Sequence, residues 1–493
     1  MPESPAPASA SPPLAAWPAW RLQAAYASGE VTPVEAIESV LRVARSRGQA
    51  LGAFASVFDD AARTQASLAF RGRSTGTPGR CKLLGLPLSI KDDLFTAGLV
   101  TSGGSRAFAG HVPQDEGPAV ARARGQGAVV FAKTNLSELS MLLEPGSPLH
   151  GPCRNPWDVA CIAGASSSGA AASVAAGIGP LALATDTGGS IRYPAALCGV
   201  LGFAPSGGRV PRYGNFGVNH ALCAIGPIAR TTHDAALLLA AISGADASDP
   251  STWAWSRPIR PPAEAAAMLN GSKEGMTFRA SRRSLRVAWM DRADLPDDDR
   301  VLRVVEHSAK AVCRDLGWTL RAAPFAPDAD ADGFSAFGLL SDCDRLGLMQ
   351  AGRHLGDAQV AALSPATRAR LERAAEHSGS AYARALEVRR RYMARLWPLF
   401  RQVDLLMACT VGHVAPPASG AQAVGASAVA RLWWTNFAGA PAATLPAGFV
   451  DGLPVGLHIA ARPGADGFLL AACTAVEHAL APGPYGFACA PMA

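Results

Sequence analysis

Long apolar runs are missing from this 493-residue chain, and lysine is scarce. No stretch approaches the roughly 18 consecutive apolar residues of a membrane span. The best candidate, Ala235 to Ile242, is far too short. Only Lys82, Lys91, Lys133, Lys273 and Lys310 stand among 45 lysines and arginines. The arginines are scattered and the formal charge of +6 is modest, which argues against a nucleic-acid-binding stripe. Ten cysteines are few for this length, none forms a CxxC pair, and none is spaced with histidine as in a zinc site. Cys198, Cys223, Cys313 and Cys409 lie in apolar surroundings and read as buried thiols, which suits a reducing cytoplasm. The N-terminus has no basic segment followed by an apolar one, so it does not read as a signal peptide. Its Pro/Ala/Ser content predicts a disordered tail over 1–15.

What is present is a chain about half apolar, with helix and strand patterns in alternation. Thr32, Pro33 and Glu35 make a helix start with a capping box. Leu84 to Ile90, Ala128 to Ala132, Leu181 to Thr185, Leu285 to Trp289, Trp318 to Arg321 and Val403 to Met407 read as strands. Trp433 to Asn436 and the segments from Gly439 to Ile459 complete the sheet in this reading. Residues 333–400 read as a peripheral helical layer whose arginines form a solvated face. Strand, helix, strand in succession predicts an α/β fold.

Three small features need one explanation. Lys91 closes an apolar run, Ser166-Ser167-Ser168 sit between glycines, and Ser190 follows Gly188-Gly189. In isolation, Lys91 reads as a strand-end charge reaching solvent and the Gly/Ser stretch as a linker. A linker, however, does not thread a core strand such as Leu181 to Thr185. Buried, a lysine loses hydration of its charged form, and its neutral amine can act as a base. A serine hydroxyl needs such a base before it is a useful nucleophile. No G-x-S-x-G elbow surrounds Ser190, and His150, His220 and His458 lie in no matching motif. A Ser–Ser–Lys relay is the chemistry these residues support. The turn Thr187 to Ser190 would aim several backbone N–H groups at one point, as an oxyanion hole requires.

The sequence resembles the amidase signature family over nearly its whole length. The resemblance is carried by Asp186-Thr187-Gly188-Gly189-Ser190-Ile191-Arg192-Tyr193-Pro194-Ala195, by Ile90-Lys91-Asp92 and by Gly164-Ala165-Ser166-Ser167-Ser168-Gly169. Lys133-Thr134-Asn135, Gly439-Ala440-Pro441 and Gly452 to Gly456 follow in the family's order. The resemblance implies one domain over residues 16–493, an α/β/α sandwich with a large mixed twisted sheet flanked by helices. It implies Ser190 as nucleophile, Ser166 as proton bridge after a cis Ala165–Ser166 peptide, and neutral Lys91 as base. Thr187, Gly188, Gly189 and Ser190 would form the oxyanion hole. No metal or cofactor is implied.

Ala165 and Ser168 replace usual glycines, Ala204 a usual lysine, and Ala408-Cys409-Thr410 stands where Pro-Thr is usual. None of these removes a catalytic atom. The pocket is expected from Met141 to Glu144, Asn215 to Val218, parts of 333–350 and Trp433 to Phe437, with Met141, Leu142, Asn215, Phe216, Trp434 and Asn436 touching substrate. This mixed, aromatic wall suggests a small uncharged aryl or alkyl amide as partner, with no nucleic acid or membrane, and leaves room for a homodimer. Two rivals are a glutamine-hydrolysing A subunit of a tRNA-dependent amidotransferase and a non-catalytic scaffold relative.

Overall fold

The computed structural model describes residues 12–73, 81–144, 146–216, 221–255, 284–290, 295, 297–352, 354–419, 425–480 and 489–490. The strands are β1 (Phe54–Val57), β2 (Pro87–Lys91), β3 (Val129–Thr134), β4 (Gly146–Ser147), β5 (Gly151–Pro152), β6 (Leu181–Asp186), β7 (Leu201–Ala204), β8 (Ala224–Ala229), β9 (Arg286–Trp289), β10 (Thr319–Ala322), β11 (Leu405–Cys409), β12 (Ala442–Val450) and β13 (Leu453–Ala460). Eleven of them form one mixed sheet in the order β1-β3-β2-β6-β8-β7-β12-β13-β11-β9-β10. β2 runs parallel to β3 and β6, whereas β6, β8, β7, β12, β13 and β11 pair antiparallel in turn. Helices cover both faces, so the central strands read as continuous apolar runs rather than alternating ones. The α/β/α sandwich is therefore as expected. Thr32 caps the helix Pro33–Val43 with the predicted box.

The period of two along the strands sorts their residues between two cores. Leu88, Ile90, Val130, Leu181 and Leu183 face one core, while Val129, Phe131, Ala182 and Ala184 face the other. Alternation puts Lys91 on the second face, under the helix Ser168–Ala175. That helix is built of small residues and packs very close to the sheet. A Cβ on Gly169 would lie 2.1 Å from the Ala53 carbonyl oxygen and 2.5 Å from Asn135 N. The Gly/Ser-rich stretch is thus core, and its small side chains are what admit neighbouring backbone.

Three expectations differ from the structure. Trp433 to Asn436 lies in the helix Gly425–Ala438 and not in the sheet. Leu432, Trp433, Trp434 and Phe437 are all fully buried, so this helix has no polar stripe to reveal its period. Most of the predicted tail, 1–11, falls outside the described residues. In the rest of it, Leu14–Ala16 forms a 3-10 turn, and Ala15, fully buried, donates its N–H to Ser39 Oγ at 3.1 Å. The helical layer is present as Ala331–Ala351, Asp357–Ala362, Pro365–Ala375 and Gly379–Gln402. Its arginines are not all solvated, because Arg389 donates from Nε to the Phe437 carbonyl at 2.7 Å and Arg345 is buried.

Candidate active site

Lys91 ends β2 with no exposed surface, so the strand-end reading fails. Its Nζ lies 2.7 Å from Ser166 Oγ, 2.8 Å from Thr185 Oγ1 and 3.5 Å from Asp93 Oδ2. Thr185 in turn donates to Asp93 Oδ2 at 2.7 Å, as does Ser140 Oγ. Burial pushes the Lys91 ammonium pKa down, and the Asp93 carboxylate opposes that shift.

A second buried lysine shows what is distinctive here. Lys133 donates from Nζ to the Leu94 carbonyl and to Thr96 Oγ1, and burial lowers its pKa to about 8. A carbonyl only accepts, which favours a protonated amine. At Lys91 the Thr185 hydroxyl has given its proton to Asp93 and accepts, but the Ser166 hydroxyl can also donate, so the pair serves a neutral amine equally well.

Ser166 follows a cis Ala165–Ser166 peptide bond. Ser167 donates its backbone N–H to the Ser190 carbonyl at 3.3 Å, which joins the serine cluster to the Ser190 turn. Asp186 shapes that turn. Its carboxylate accepts from Gly189 N at 2.8 Å and Ile191 N at 3.0 Å, and it pairs with Arg192 at 2.9 Å. Burial alone would raise the Asp186 pKa, but the Arg192 guanidinium and these backbone N–H groups outweigh it and hold the pKa at about 2. Gly189 has φ 118°, and a Cβ there would meet Leu432 at 2.6 Å. One expectation changes here: the Gly189 N–H is committed to Asp186 and does not point into an oxyanion hole. Among the described residues, the N–H groups of Thr187, Gly188 and Ser190 have no protein acceptor.

Comparison with known proteins assigns the family. The family model described as Amidase matches residues 35–470. The chain belongs to the amidase signature family. It is an amidohydrolase of carboxamide C–N bonds. It is 34% identical to the A subunit of the glutamyl-tRNA(Gln) amidotransferase of Thermus thermophilus, over 94% of this chain and 97% of that protein. Its structure is similar to that of the peptide amidase from Stenotrophomonas maltophilia, with a TM-score of 0.79 at 28% identity over 94% of this chain and 96% of that one. It is also similar to a bacterial aryl acylamidase of the amidase signature family, with a TM-score of 0.80 at 25% identity over 96% and 97% of the two chains.

In this family member a cavity of about 750 Å³ opens beside the turn, lined by Thr187, Gly188, Gly189 and Ser190. Met141 and Leu142 line it as expected, with Phe334, Phe337 and Val429. Asn215, Phe216, Trp434 and Asn436 are not among its described lining residues, and 217–220 lie outside the described residues. Asn215 donates to the Arg212 carbonyl at 2.6 Å, and Phe216 stacks on Phe108. Trp434 is fully buried in the core under the helical layer. Asn436 buttresses the Ser190 turn from behind: its Nδ2 donates to the Asp186 carbonyl at 2.8 Å, and its Oδ1 accepts from Arg192 at 2.6 Å.

Two arginines on this wall, Arg345 and Arg370, have no local motif to mark them in the sequence. Both carry carbonyls of the segment Leu139 to Met141, where Leu139 and Ser140 take left-handed backbone at φ 50° and 57°. Side chains rarely adopt that conformation. Glu138 fastens the same segment to the helical layer by accepting from Thr367 Oγ1 at 2.6 Å. A second cavity of about 800 Å³, lined by Arg212, Asp344 and Tyr382, contains none of Lys91, Ser166 and Ser190. None of the described helices is long and apolar enough to cross a membrane.

Proposed function

We propose that this enzyme cleaves its amide through an acyl-enzyme on Ser190. Neutral Lys91 takes the Ser166 proton as Ser166 takes that of Ser190, and Ser190 Oγ attacks the carbonyl carbon. The N–H groups of Thr187, Gly188 and Ser190 receive the oxyanion. As the C–N bond breaks, Ser166 protonates the leaving nitrogen and is reprotonated by Lys91. Water then releases the acid by the same relay. The observation that carries this reading is the 2.7 Å contact between Lys91 Nζ and Ser166 Oγ in a fully buried setting, beside a turn rich in open N–H groups. Intact Lys91, Ser166 and Ser190 also weigh against a scaffold role.

Two substrate readings have support. Likeness to the Thermus amidotransferase chain favours a glutamine-hydrolysing role beside partner chains, and the comparisons favour it over a small uncharged amide. That reading needs a carboxylate for the α-ammonium of glutamine, and none of the described lining side chains is acidic. The wall of Met141, Leu142, Phe334 and Phe337 favours an aryl or alkyl acid amide. Ten free cysteines, seven of them buried, support a reducing, cytoplasmic location.

The test is intact mass after a serine-directed fluorophosphonate, followed by ammonia release from glutamine and from aryl and alkyl amides. A single adduct on wild type that is absent from Ser190→Ala is the expected result. Labelling that persists in the variant would overturn the Ser190 assignment. Turnover of glutamine alone would decide for the amidotransferase reading.

A further inference from the structure

Arg345 is 2% exposed and lies on the helix Ala331–Ala351, in the wall of the cavity that holds Ser190. Its Nη1 donates to the Leu139 carbonyl at 2.6 Å, and its Nε is buried with no acceptor. Among the described residues it makes no ion pair. The two acids whose charge reaches it are already engaged: Asp342 pairs with Arg370 at 2.6 Å and Asp93 with Lys91 at 3.5 Å. Buried charges in proteins are normally paired, because an unpaired one forfeits its hydration without compensation. A buried guanidinium with no carboxylate in contact, lining a ligand cavity, indicates that the ligand supplies the contacting anion. The other cavity side chains are apolar or neutral, apart from Arg370 with its own partner.

We infer that Arg345 is a specificity residue, and that the substrate is an amide with an apolar body and one carboxylate that pairs with this guanidinium. A carboxylate matches a single cation in charge and its planar fork in shape, whereas a dianionic phosphate would leave net charge buried. This inference rests on the amidase reading of the Ser190 site and narrows its substrate class. It replaces the uncharged amide expected from the sequence.

The test measures protection of Ser190 from fluorophosphonate labelling by 5-phenylpentanoate and by the neutral 5-phenylpentanol. In wild type the carboxylate should protect at a concentration at least tenfold lower than the alcohol. In Arg345→Met that ratio should fall to about one, and Arg345→Lys should keep part of it. Equal protection by the two probes in wild type, which needs no variant to fold, would overturn the inference and leave the Ser190 chemistry standing. So would a ratio that survives in Arg345→Met. Failure of wild-type Ser190 to label would overturn the amidase reading itself.

Discussion

Replacing Asp93 by Asn removes the one carboxylate that faces Lys91 within 4 Å among the described residues. The two side chains are fully buried, 3.5 Å apart, and bridged by Thr185 Oγ1. Asparagine can still accept from Thr185 and Ser140, so mainly charge is lost. At an effective dielectric constant of about 20, two unit charges at this separation interact by roughly 5 kcal/mol, a ceiling of about 3.5 pH units. The sign follows from the direction of each effect. Burial lowers the Lys91 pKa and Asp93 raises it, so Asp93→Asn lowers it further. Lys91 must be neutral to act, so kcat/KM rises with pH through the pKa of the free enzyme. The rising limb should move to lower pH by about 2 units, below the ceiling because water and dipoles relax around the new side chain. Its plateau should drop, because a weaker base drives proton transfer less. A limb that stays in place, or moves to higher pH, would refute neutral Lys91 held against an ionised Asp93.

Three other outcomes follow from the same geometry. Ser166→Ala should lower kcat by about 10³ or more while the fold is kept, because Lys91 then has no relay to Ser190; circular dichroism and amide turnover check both halves. Asp186→Asn should weaken the bonds that shape the turn at Gly189 and Ile191, lowering kcat by about 10² with less effect on KM. Glu477 is buried against Thr232, and burial pushes its pKa up to about 7. In the unfolded chain it ionises near its ordinary 4.5, so the folded state holds the proton longer and stability falls as pH rises between these values. Glu477→Gln should therefore be the more stable protein at pH 8, by up to about 3 kcal/mol, with the gain vanishing near pH 4. Thermal unfolding at the two pH values reads this directly, and an equal effect at both would contradict the assigned protonation.

What is legible in the sequence is what short stretches encode. Lys91 at the end of an apolar run, the serine cluster and the Gly188-Gly189-Ser190 turn are each local patterns, and the spacing of apolar runs locates β2, β3 and β6. Residues that act through partners far along the chain leave no such trace. Asn436 reaches Asp186 across 250 positions and Arg345 reaches Leu139 across 206. Neither contact has a local signature. The burial of Lys91 itself is decided by what lies over β2, not by the residues around it.

Asn436 is the most instructive of these. Its place among aromatics suggests a substrate contact, yet those aromatics fill the core beneath the helical layer. The polar group is buried there because it satisfies the Asp186 carbonyl and the Arg192 guanidinium at once. An amide can do this because it carries both a donor and an acceptor. Asn436→Asp would keep the acceptor for Arg192 but turn the donor into a second acceptor against the Asp186 carbonyl. Asn436→Ala would remove this donor from the Asp186 carbonyl and one acceptor from the Arg192 guanidinium, which keeps its pair with Asp186, a loss of roughly 1–3 kcal/mol for each bond. If Asn436 holds the turn, both variants should lower kcat and the melting temperature together while KM changes little. A substrate contact would instead raise KM and leave the melting temperature unchanged.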